Sequence, residues 1–292
     1  MGKYRDCYEK GWKLLLEAGI EEAALEARLL LEWVCGTDRN TLLVHGDRAV
    51  SAGERQAYEE AIARRSCRIP LQQITGRQVF MGLEFQVNGH VLVPRQDTEI
   101  LVEEVMRELQ DGMRVLDLCT GSGCILVSLL HYSNDCMGVG TDISSEALAV
   151  ARRNGVALLG PEKEYAFLES DLFDQVEGRY DIIVSNPPYI RQEEIDTLMP
   201  EVRDHEPRMA LDGGADGLDF YRRIVAESPS YLTGGGRLYL EIGWDQGDAV
   251  QELLLRKGFR EVNVVQDYAG LDRVVWGCWP ILNQVGNQRN SE

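Results

Sequence analysis

The tetrapeptide Asn186-Pro187-Pro188-Tyr189 follows the apolar run D-I-I-V-S and combines residue types that suit one kind of chemistry. A planar amide or aromatic amine is a poor nucleophile, because its nitrogen lone pair is delocalised. The Asn186 carbonyl and a rigidly held backbone carbonyl of the proline pair can accept its two N–H groups, and Tyr189 can stack on it. A stiff turn that merely ends a strand would need neither Asn nor Tyr. The motif therefore indicates group transfer to such a nitrogen, in which positioning supplies much of the rate enhancement.

A glycine turn follows an earlier apolar run, in C-T-G-S-G-C, where Gly121 and Gly123 open a helix. Glycines at such a turn allow a ligand to approach the backbone closely. The dinucleotide fingerprint requires a third glycine where this chain has Leu126, which disfavours a pyrophosphate cradle. Asp142, at the tip of the next strand, can accept both hydroxyls of a ribose, although it could also simply cap a helix. A ribose site without a pyrophosphate site favours S-adenosylmethionine over NAD.

A third strand leads into E-S-D-L-F, which places Asp171 and Leu172 at its end. The carboxylate can meet the amine of an adenine and the leucine its ring face, but E-S-D is also common turn chemistry. In a parallel sheet these strand tips share the carboxyl edge, where ligands bind at the point at which the strand order reverses.

Strands alternating with helices from about residue 97 predict an α/β fold, a doubly wound, Rossmann-like, mostly parallel sheet of seven strands. The last two strands should pair antiparallel, because only residues 267–272 connect them. The predicted strands are 113–118, 136–141, 165–169, 180–185, 237–242, 260–266 and 273–279. The predicted helices are 98–109, 123–131, 144–154, 218–228 and 246–257.

Residues 1–75 have the apolar spacing of a small all-helical domain, with helices at 4–18, at 21–35 and from Ser51 to about Arg65. A linking β-hairpin is expected in residues 76–96, with strands around Gly82 and a turn signal at Asn88-Gly89. Residues 97–292 form the third unit, and its polar end, 283–292, is expected to fray. The cluster of Arg64, Arg65 and Arg68 is either a solvated helix end or a surface that docks a partner.

The formal net charge is -18, and nearly all of it falls outside the helical unit, since residues 1–75 carry 11 basic and 12 acidic side chains. Such acidity argues against a protein that coats nucleic acid by neutralising phosphates, so no stable nucleic-acid binding is expected. Seven cysteines without a C-x-x-C pair indicate reduced thiols in a cytoplasmic protein. The sequence shows neither an apolar membrane span nor a metal-ligand spacing, so we assign no membrane and no metal.

The chain resembles the HemK-type release-factor glutamine methyltransferases, which belong to the class I methyltransferases that use S-adenosyl-L-methionine. The likeness covers nearly the whole chain and is more specific than N-P-P-Y alone, which adenine and guanine methyltransferases share. The shared motifs are P-L-Q-Q-I-T-G at 70–76, F-M-G-L-E-F at 80–85, V-P-R-Q-D-T-E at 93–99, N-P-P-Y-I at 186–190, E-P-R-M-A-L at 206–211 and D-G-L-D-F-Y-R at 216–222.

This resemblance implies methylation of the side-chain amide nitrogen of the glutamine in the Gly-Gly-Gln motif of class I peptide chain release factors, with the helical domain helping to dock that protein. The substrate glutamine would lie on the catalytic residues Asn186, Pro187, Pro188 and Tyr189. The donor site would comprise Cys119, Thr120, Gly121, Ser122, Gly123, Asp142, Leu172 and Asn186.

Three positions depart from the family pattern: Cys119 stands where the family usually has glycine, Gln96 replaces a usual proline, and Leu172 stands where some members have tryptophan. Two alternatives remain open, a methyltransferase acting on exocyclic amines of nucleic acids and a non-catalytic binding protein that retains the fold. The segment 191–217, rich in Pro, Gly and charge, is expected to be a long functional loop that forms a mobile lid over the site.

Overall fold

Helices occupy the N-terminal region in the computed structural model, which describes residues 2–281. The predicted fraying of residues 283–292 lies outside the described residues. Buried leucines and isoleucines of α1, α2 and α4, such as Leu15, Leu30 and Ile62, form one hydrophobic core. Ser51 caps α4 as predicted, since its hydroxyl accepts from the Glu54 amide and the Glu54 carboxylate accepts from the Ser51 amide. The helices are α1 (Tyr4–Glu17), α2 (Ala23–Cys35), α3 (Arg39–Val44), α4 (Ala52–Ser66) and α5 (Leu71–Thr75).

A two-stranded hairpin follows, in which β1 (Arg77–Phe80) pairs antiparallel with β2 (Leu83–Gln86). The chain turns at Met81 and Gly82, both in the left-handed region with φ of +50° and +75°. The Asn88-Gly89 signal therefore lies beyond the hairpin and does not close it. Instead, the residues after β2 run along a later helix, where Val87 and Val91 pack on Ala147 and Val150.

Seven strands form the main sheet in the order β5-β4-β3-β6-β7-β9-β8. All neighbouring pairs are parallel except β7 with β9 and β8 with β9, which are antiparallel. The predicted doubly wound sheet with a final antiparallel hairpin is thus confirmed. The strands are β3 (Arg114–Leu118), β4 (Met137–Asp142), β5 (Tyr165–Glu169), β6 (Tyr180–Ser185), β7 (Leu232–Glu241), β8 (Arg260–Gln266) and β9 (Asp272–Cys278).

Helices cover both faces of this sheet. Because side chains alternate along each strand, the buried residues form two hydrophobic cores, one on each face. In β6, for example, Ile182 and Val184 face one core while Ile183 faces the other. Helices α6 to α8 close the first core, and α11 and α12 close the second. The helices are α6 (Asp97–Met106), α7 (Cys124–Tyr132), α8 (Ser145–Leu158), α9 (Gln192–Ile195), α10 (Pro200–Arg203), α11 (Asp219–Glu227) and α12 (Gly247–Lys257).

The strand order reverses between β3 and β6, which lie side by side in the middle of the sheet. Their register pairs Leu118 with Ser185, the last residue of each strand, and the Ser185 hydroxyl donates to the Leu118 carbonyl at 2.7 Å. The glycine turn after β3 and the N-P-P-Y segment after β6 therefore begin next to each other at the carboxyl edge.

Ion pairs connect the N-terminal helices to the segment 191–217, and they show that the arginine cluster as a whole is neither a solvated helix end nor a docking surface. Arg65 is buried and contacts the carboxylates of both Glu26 and Glu201, the latter at 3.0 Å. Arg68 also contacts Glu201 at 3.0 Å and donates to the Gly19 carbonyl at 2.9 Å. Of the three arginines only Arg64 is exposed, so the cluster is mainly an internal link and not a docking surface.

No helix within residues 2–281 has the length and apolar character needed to cross a membrane. In the same range, no three His, Cys, Asp or Glu side chains are grouped in a way that could hold a metal ion. All seven cysteines lie in this range and are free thiols.

We expect Arg65→Met to lower the free energy of unfolding by about 3 kcal/mol, because it leaves the partly buried Glu26 carboxylate without its cation and leaves Glu201 with Arg68 alone. Urea denaturation measures this change. Arg64→Met, one residue away on the same helix but exposed, is the control and should change stability by no more than about 0.5 kcal/mol. Equal effects of the two substitutions would contradict a stabilising role for the buried pairs.

Candidate active site

A cavity of about 500 Å³ opens at the carboxyl edge of the sheet, above the junction of β3 and β6. Most of the residues predicted from the sequence line it together, although they come from four separate parts of the chain. These are Cys119, Thr120, Gly121, Ser122, Asp142, Leu172, Asn186 and Pro188. The cavity is large enough for a nucleoside together with a second small group.

The glycine turn is held by the carboxylate at the tip of the next strand. Asp142 accepts from the Gly121 amide through Oδ2 at 2.9 Å and from the Ser144 amide through Oδ1 at 2.9 Å. Gly121 has a φ of +54°, and a Cβ at this position would point into open space. The turn thus leaves its backbone accessible beside a carboxylate that still has free lone pairs, which fits a ribose.

Gly123 lies behind the turn and does not line the cavity. Its φ is +79°, and a Cβ there would come within 3.2 Å of the Cβ of Ala151 on α8 and 3.3 Å of the Phe167 ring. The structure therefore uses Gly123 for the close approach of α7 to its neighbours, and a direct contact with the donor stays a prediction.

Two lining residues that are not glycine, Cys119 and Leu172, lie in the left-handed region with φ of +58° and +50°. Each such residue costs roughly 1 kcal/mol, and conformations of this kind cluster at functional sites. The φ of Cys119 gives a physical reason for the glycine that the family resemblance implies at that position. Burial raises the pKa of the Cys119 thiol, which keeps it neutral.

The Asn186 side chain has a defined orientation at the start of the N-P-P-Y segment. Its Nδ2 donates to the hydroxyl of Thr98 on α6 at 3.3 Å. The amide oxygen of Asn186 is consequently free to accept a hydrogen bond from a group in the cavity.

Pro187 and Tyr189 do not line the cavity. Burial raises the pKa of the Tyr189 phenol, so it remains protonated. The Tyr189 carbonyl accepts from Nε2 of Gln246 at 3.0 Å, and a Cβ on Gly243 would lie 3.5 Å from the Tyr189 ring. Stacking of this ring on a substrate therefore stays a prediction.

The segment 191–217 covers one side of the cavity and is anchored at several points. Next to the N-P-P-Y motif, the Ile190 amide donates to the Leu211 carbonyl, and the Gly213 amide donates back to Ile190, both at 2.9 Å. Further along, both carboxylate oxygens of Glu206 accept from Nη2 of Arg95, each at 2.7 Å, and Arg95 lines the cavity. The segment contributes Gln192, Pro207, Met209, Ala210, Asp212 and Gly214 to the lining.

Several residues near the site carried no sequence signal that singled them out. Arg95 and Thr98 lie within the shared motif V-P-R-Q-D-T-E, whose contribution to a site could not be derived from spacing. Gln246 is buried, and besides the Tyr189 carbonyl its Nε2 reaches the Gly217 carbonyl at 3.2 Å, while its Oε1 accepts from the Gly243 amide at 2.9 Å. This side chain therefore joins three loops at the carboxyl edge.

Three carboxyl groups lie around the cavity, of which Asp117 and Glu241 are buried and Asp142 is half-buried. Burial raises the pKa of Asp117 to about 7, against the lowering effect of the Thr120 hydroxyl, which donates to it at 2.6 Å. Burial likewise raises the pKa of Glu241 to about 7 and raises that of Asp142, whose hydrogen bonds from backbone amides act in the opposite sense. Perturbed carboxyls in a cleft are typical of functional sites.

This sheet order, with a glycine turn, an acidic strand tip and N-P-P-Y at one edge, defines the class I methyltransferase fold. The crystal structure of a methyltransferase from Pyrococcus furiosus is similar to this chain with a TM-score of 0.53 and 19% identity, covering 75% of this chain and 100% of the other. That likeness shows the fold.

Sequence comparison defines the family more closely. A family model described as the PrmC N-terminal domain matches residues 6–76, and one described as the methyltransferase small domain matches residues 95–202. A release factor glutamine methyltransferase from Geobacter sulfurreducens is 45% identical over 267 residues, or 90% of this chain and 92% of the relative. One from Caulobacter vibrioides is 43% identical over 266 residues, with the same coverage. The chain belongs to the release factor glutamine methyltransferase family.

We expect Gly213→Ala to disturb the N-P-P-Y segment, because the added Cβ would lie 2.6 Å from the Cα of Tyr189 and 2.9 Å from the Pro188 carbonyl oxygen. Overpacking of this kind costs about 1–3 kcal/mol in unfolding free energy. Hydrogen exchange should accelerate at the Ile190 amide, whose partner is the Leu211 carbonyl. Gly53→Ala, at a helical position where the new Cβ meets no neighbouring element within 4 Å, should not lower the unfolding free energy and should leave exchange at Ile190 unchanged. Unchanged exchange at Ile190 in Gly213→Ala would refute the contact.

Proposed function

We propose that this protein transfers the methyl group of S-adenosyl-L-methionine to the side-chain amide nitrogen of the glutamine in the Gly-Gly-Gln motif of class I peptide chain release factors. The observation that carries the proposal is the orientation of Asn186. Its NH₂ group faces Thr98, so its carbonyl oxygen is left to accept a hydrogen bond from the amide that receives the methyl group. That oxygen lies in the same cavity as the glycine turn and Asp142.

The residues of the glycine turn fit the donor. Asp142 has lone pairs free for the ribose hydroxyls beyond those used by Gly121 and Ser144. Leu172 is 4% exposed and lines the cavity, where it offers an apolar surface to an adenine ring. Adenosylmethionine supplies a methyl group already activated by its sulfonium. The protein therefore has to hold the acceptor nitrogen in line with it.

Asn186 and the backbone of the proline pair perform that alignment. Two carbonyl acceptors fix the two N–H groups of the glutamine amide, so that the nitrogen lone pair points toward the methyl group. No general base is required, because the methylated amide nitrogen is a very strong acid and can lose its proton to water. Tyr189 would also help to hold the glutamine by stacking on its planar amide group.

The rest of the chain suits a protein substrate. Residues 1–75 are nearly neutral in net charge, whereas the remainder carries nearly all of the formal charge of -18 and would repel a nucleic acid. The N-terminal helices would help to dock the release factor. Because release factors act in translation, we propose that the reaction takes place in the cytoplasm. An exocyclic amine of a nucleic acid is the less favoured acceptor for the same electrostatic reason.

Mass spectrometry of a release factor incubated with the protein and isotope-labelled adenosylmethionine tests the proposal. A single labelled methyl group on the glutamine of the Gly-Gly-Gln motif is the expected result. Label on rRNA or DNA with an unmodified release factor would overturn it in favour of a nucleic-acid methyltransferase. Absence of donor binding in calorimetry would favour a non-catalytic protein.

We expect Asn186→Ala to lower turnover by roughly 100-fold, since it removes a fixed acceptor for the substrate amide. Circular dichroism should show that the fold is retained. Asn134→Ala, at an exposed position outside the cavity, serves as the control. Turnover of Asn186→Ala equal to that of the control would eliminate the alignment mechanism.

We expect Asp142→Ala to weaken donor binding by about tenfold, because it removes a charged acceptor for the ribose and a partner of the Gly121 amide. Affinity for the release factor should change much less. Calorimetric titration of each ligand measures both effects, with the exposed Asp135→Ala as the matched loss of charge. A larger effect on release factor affinity than on donor affinity would contradict the assignment.

A further inference from the structure

Glu241 is a buried carboxyl group directly behind the acceptor site. It is the last residue of β7 and 2% exposed, and it does not line the cavity. In the parallel register of β6 with β7, Ser185 pairs with Leu240, so Asn186 and Glu241 follow at neighbouring positions. Hydrogen bonding from the side chains of Thr98 and Asn186, both of which line the cavity, lowers the pKa of Glu241. Its Oε2 has no hydrogen-bond partner among the residues that the structure describes. A buried oxygen of this kind is costly, so its retention requires a reason.

Hydrogen-bond chemistry links Glu241 to the orientation of Asn186. The Thr98 oxygen accepts from Nδ2 of Asn186 at 3.3 Å, which leaves the single Thr98 proton for another acceptor. The Glu241 carboxylate is such an acceptor. Because a carboxylate can only accept, it also excludes the arrangement in which the Asn186 carbonyl oxygen faces it.

We propose that Glu241 is a positioning residue whose carboxylate, directly and through Thr98, holds the Asn186 amide with its oxygen toward the substrate nitrogen. This inference rests on the proposed function. In the flipped orientation Asn186 would present NH₂ to the two N–H groups of the substrate amide, and donor would face donor. Glu241 therefore acts on the reaction without touching either ligand.

Other ionisable groups surround Glu241. They are Asp97 on α6, Cys124 on α7, Tyr189 after β6, Tyr221 on α11 and Arg273 on β9. Burial raises the pKa of the Cys124 thiol and of both phenols, which stay neutral, and Arg273 is paired with Asp267 at 3.0 Å. Burial is the largest influence on Glu241 and raises its pKa to about 7, so its charge changes near neutral pH.

The isosteric Glu241→Gln separates positioning from packing. We expect kcat on the release factor to fall roughly 10- to 100-fold, because the neutral amide tolerates either orientation of Asn186. The dissociation constant of adenosylmethionine and the KM for the release factor should stay within about twofold. The melting temperature should not fall, since the substitution removes a buried charge whose Oε2 is unpartnered.

The pH profile gives a second readout. Wild-type kcat should rise between about pH 6 and pH 8 as Glu241 ionises, and this rise should be lost or much reduced in Glu241→Gln. Asp117 also has a pKa raised to about 7, so only the difference between the two profiles belongs to Glu241. Glu108→Gln, which removes a partly exposed carboxylate paired with Arg237 outside the cavity, should behave like wild type.

Thr98 offers an independent pair of variants. Thr98→Val removes the hydroxyl and should lose kcat to a similar extent, whereas Thr98→Ser keeps the hydroxyl and should restore most of it. The double variant of Glu241→Gln and Thr98→Val should be little worse than either single one. A kcat and pH profile of Glu241→Gln equal to wild type would overturn the inference, as would a loss of kcat that matches losses in melting temperature and donor affinity. Failure of wild type to methylate the glutamine would instead refute the proposed function.

Discussion

The parallel pairing of β3 with β6 is the constraint on which the rest of the site depends. These strands are far apart in sequence, but the doubly wound order places them side by side, and the register of Leu118 with Ser185 ends them at the same level. Whatever follows each strand therefore emerges at one place. The glycine turn, which we assign to the donor, follows β3, and the N-P-P-Y motif, which we propose aligns the acceptor, follows β6. A shift in this register would separate the two halves of the reaction by the rise of a strand residue.

A second layer of contacts holds the N-P-P-Y segment from behind and from above. Gln246 fixes the carbonyl of Tyr189, and the exchange of hydrogen bonds between Ile190 and the 211–213 region closes the segment over it. Arg65 and Glu201 then connect the covering segment to the N-terminal helices. The acceptor half of the cavity is consequently supported by elements from the beginning, middle and end of the chain.

The sequence predicts the repeating elements well because their signals are local. The strands at 165–169, 180–185 and 260–266 match the structure, and the other four differ at one or both ends. The largest difference is in β7, which begins at Leu232 and not at 237, because Leu232 pairs with Tyr180 of β6 ahead of an irregularity at 233–236, a T-G-G-G stretch with little intrinsic strand preference. Contacts such as Arg65 with Glu201 lie outside any local pattern, which is why that arginine could equally be interpreted as a docking surface.

In the candidate site, too, local motifs could be predicted from the sequence, whereas contacts made only by the fold could not. Motif reading treats consecutive residues alike, but successive side chains of an extended segment point in different directions, so Asn186 and Pro188 line the cavity while Pro187 and Tyr189 do not. The motif predicts that Gly123 contacts the donor, and the structure shows in addition that its position allows close helix packing. Thr98 and Glu241 meet only through the fold, since α6 and β7 are far apart in the chain, and no spacing rule could have joined them.

The hydrogen bond from the Gly121 amide to Asp142 has a consequence for the energetics of recognition. The bond joins two parts of the protein itself, so the fold holds in place the turn that we assign to the donor. Conformational entropy that a flexible turn would lose on association has already been lost during folding. Binding of the nucleoside therefore does not lose free energy to the ordering of the turn that would receive it.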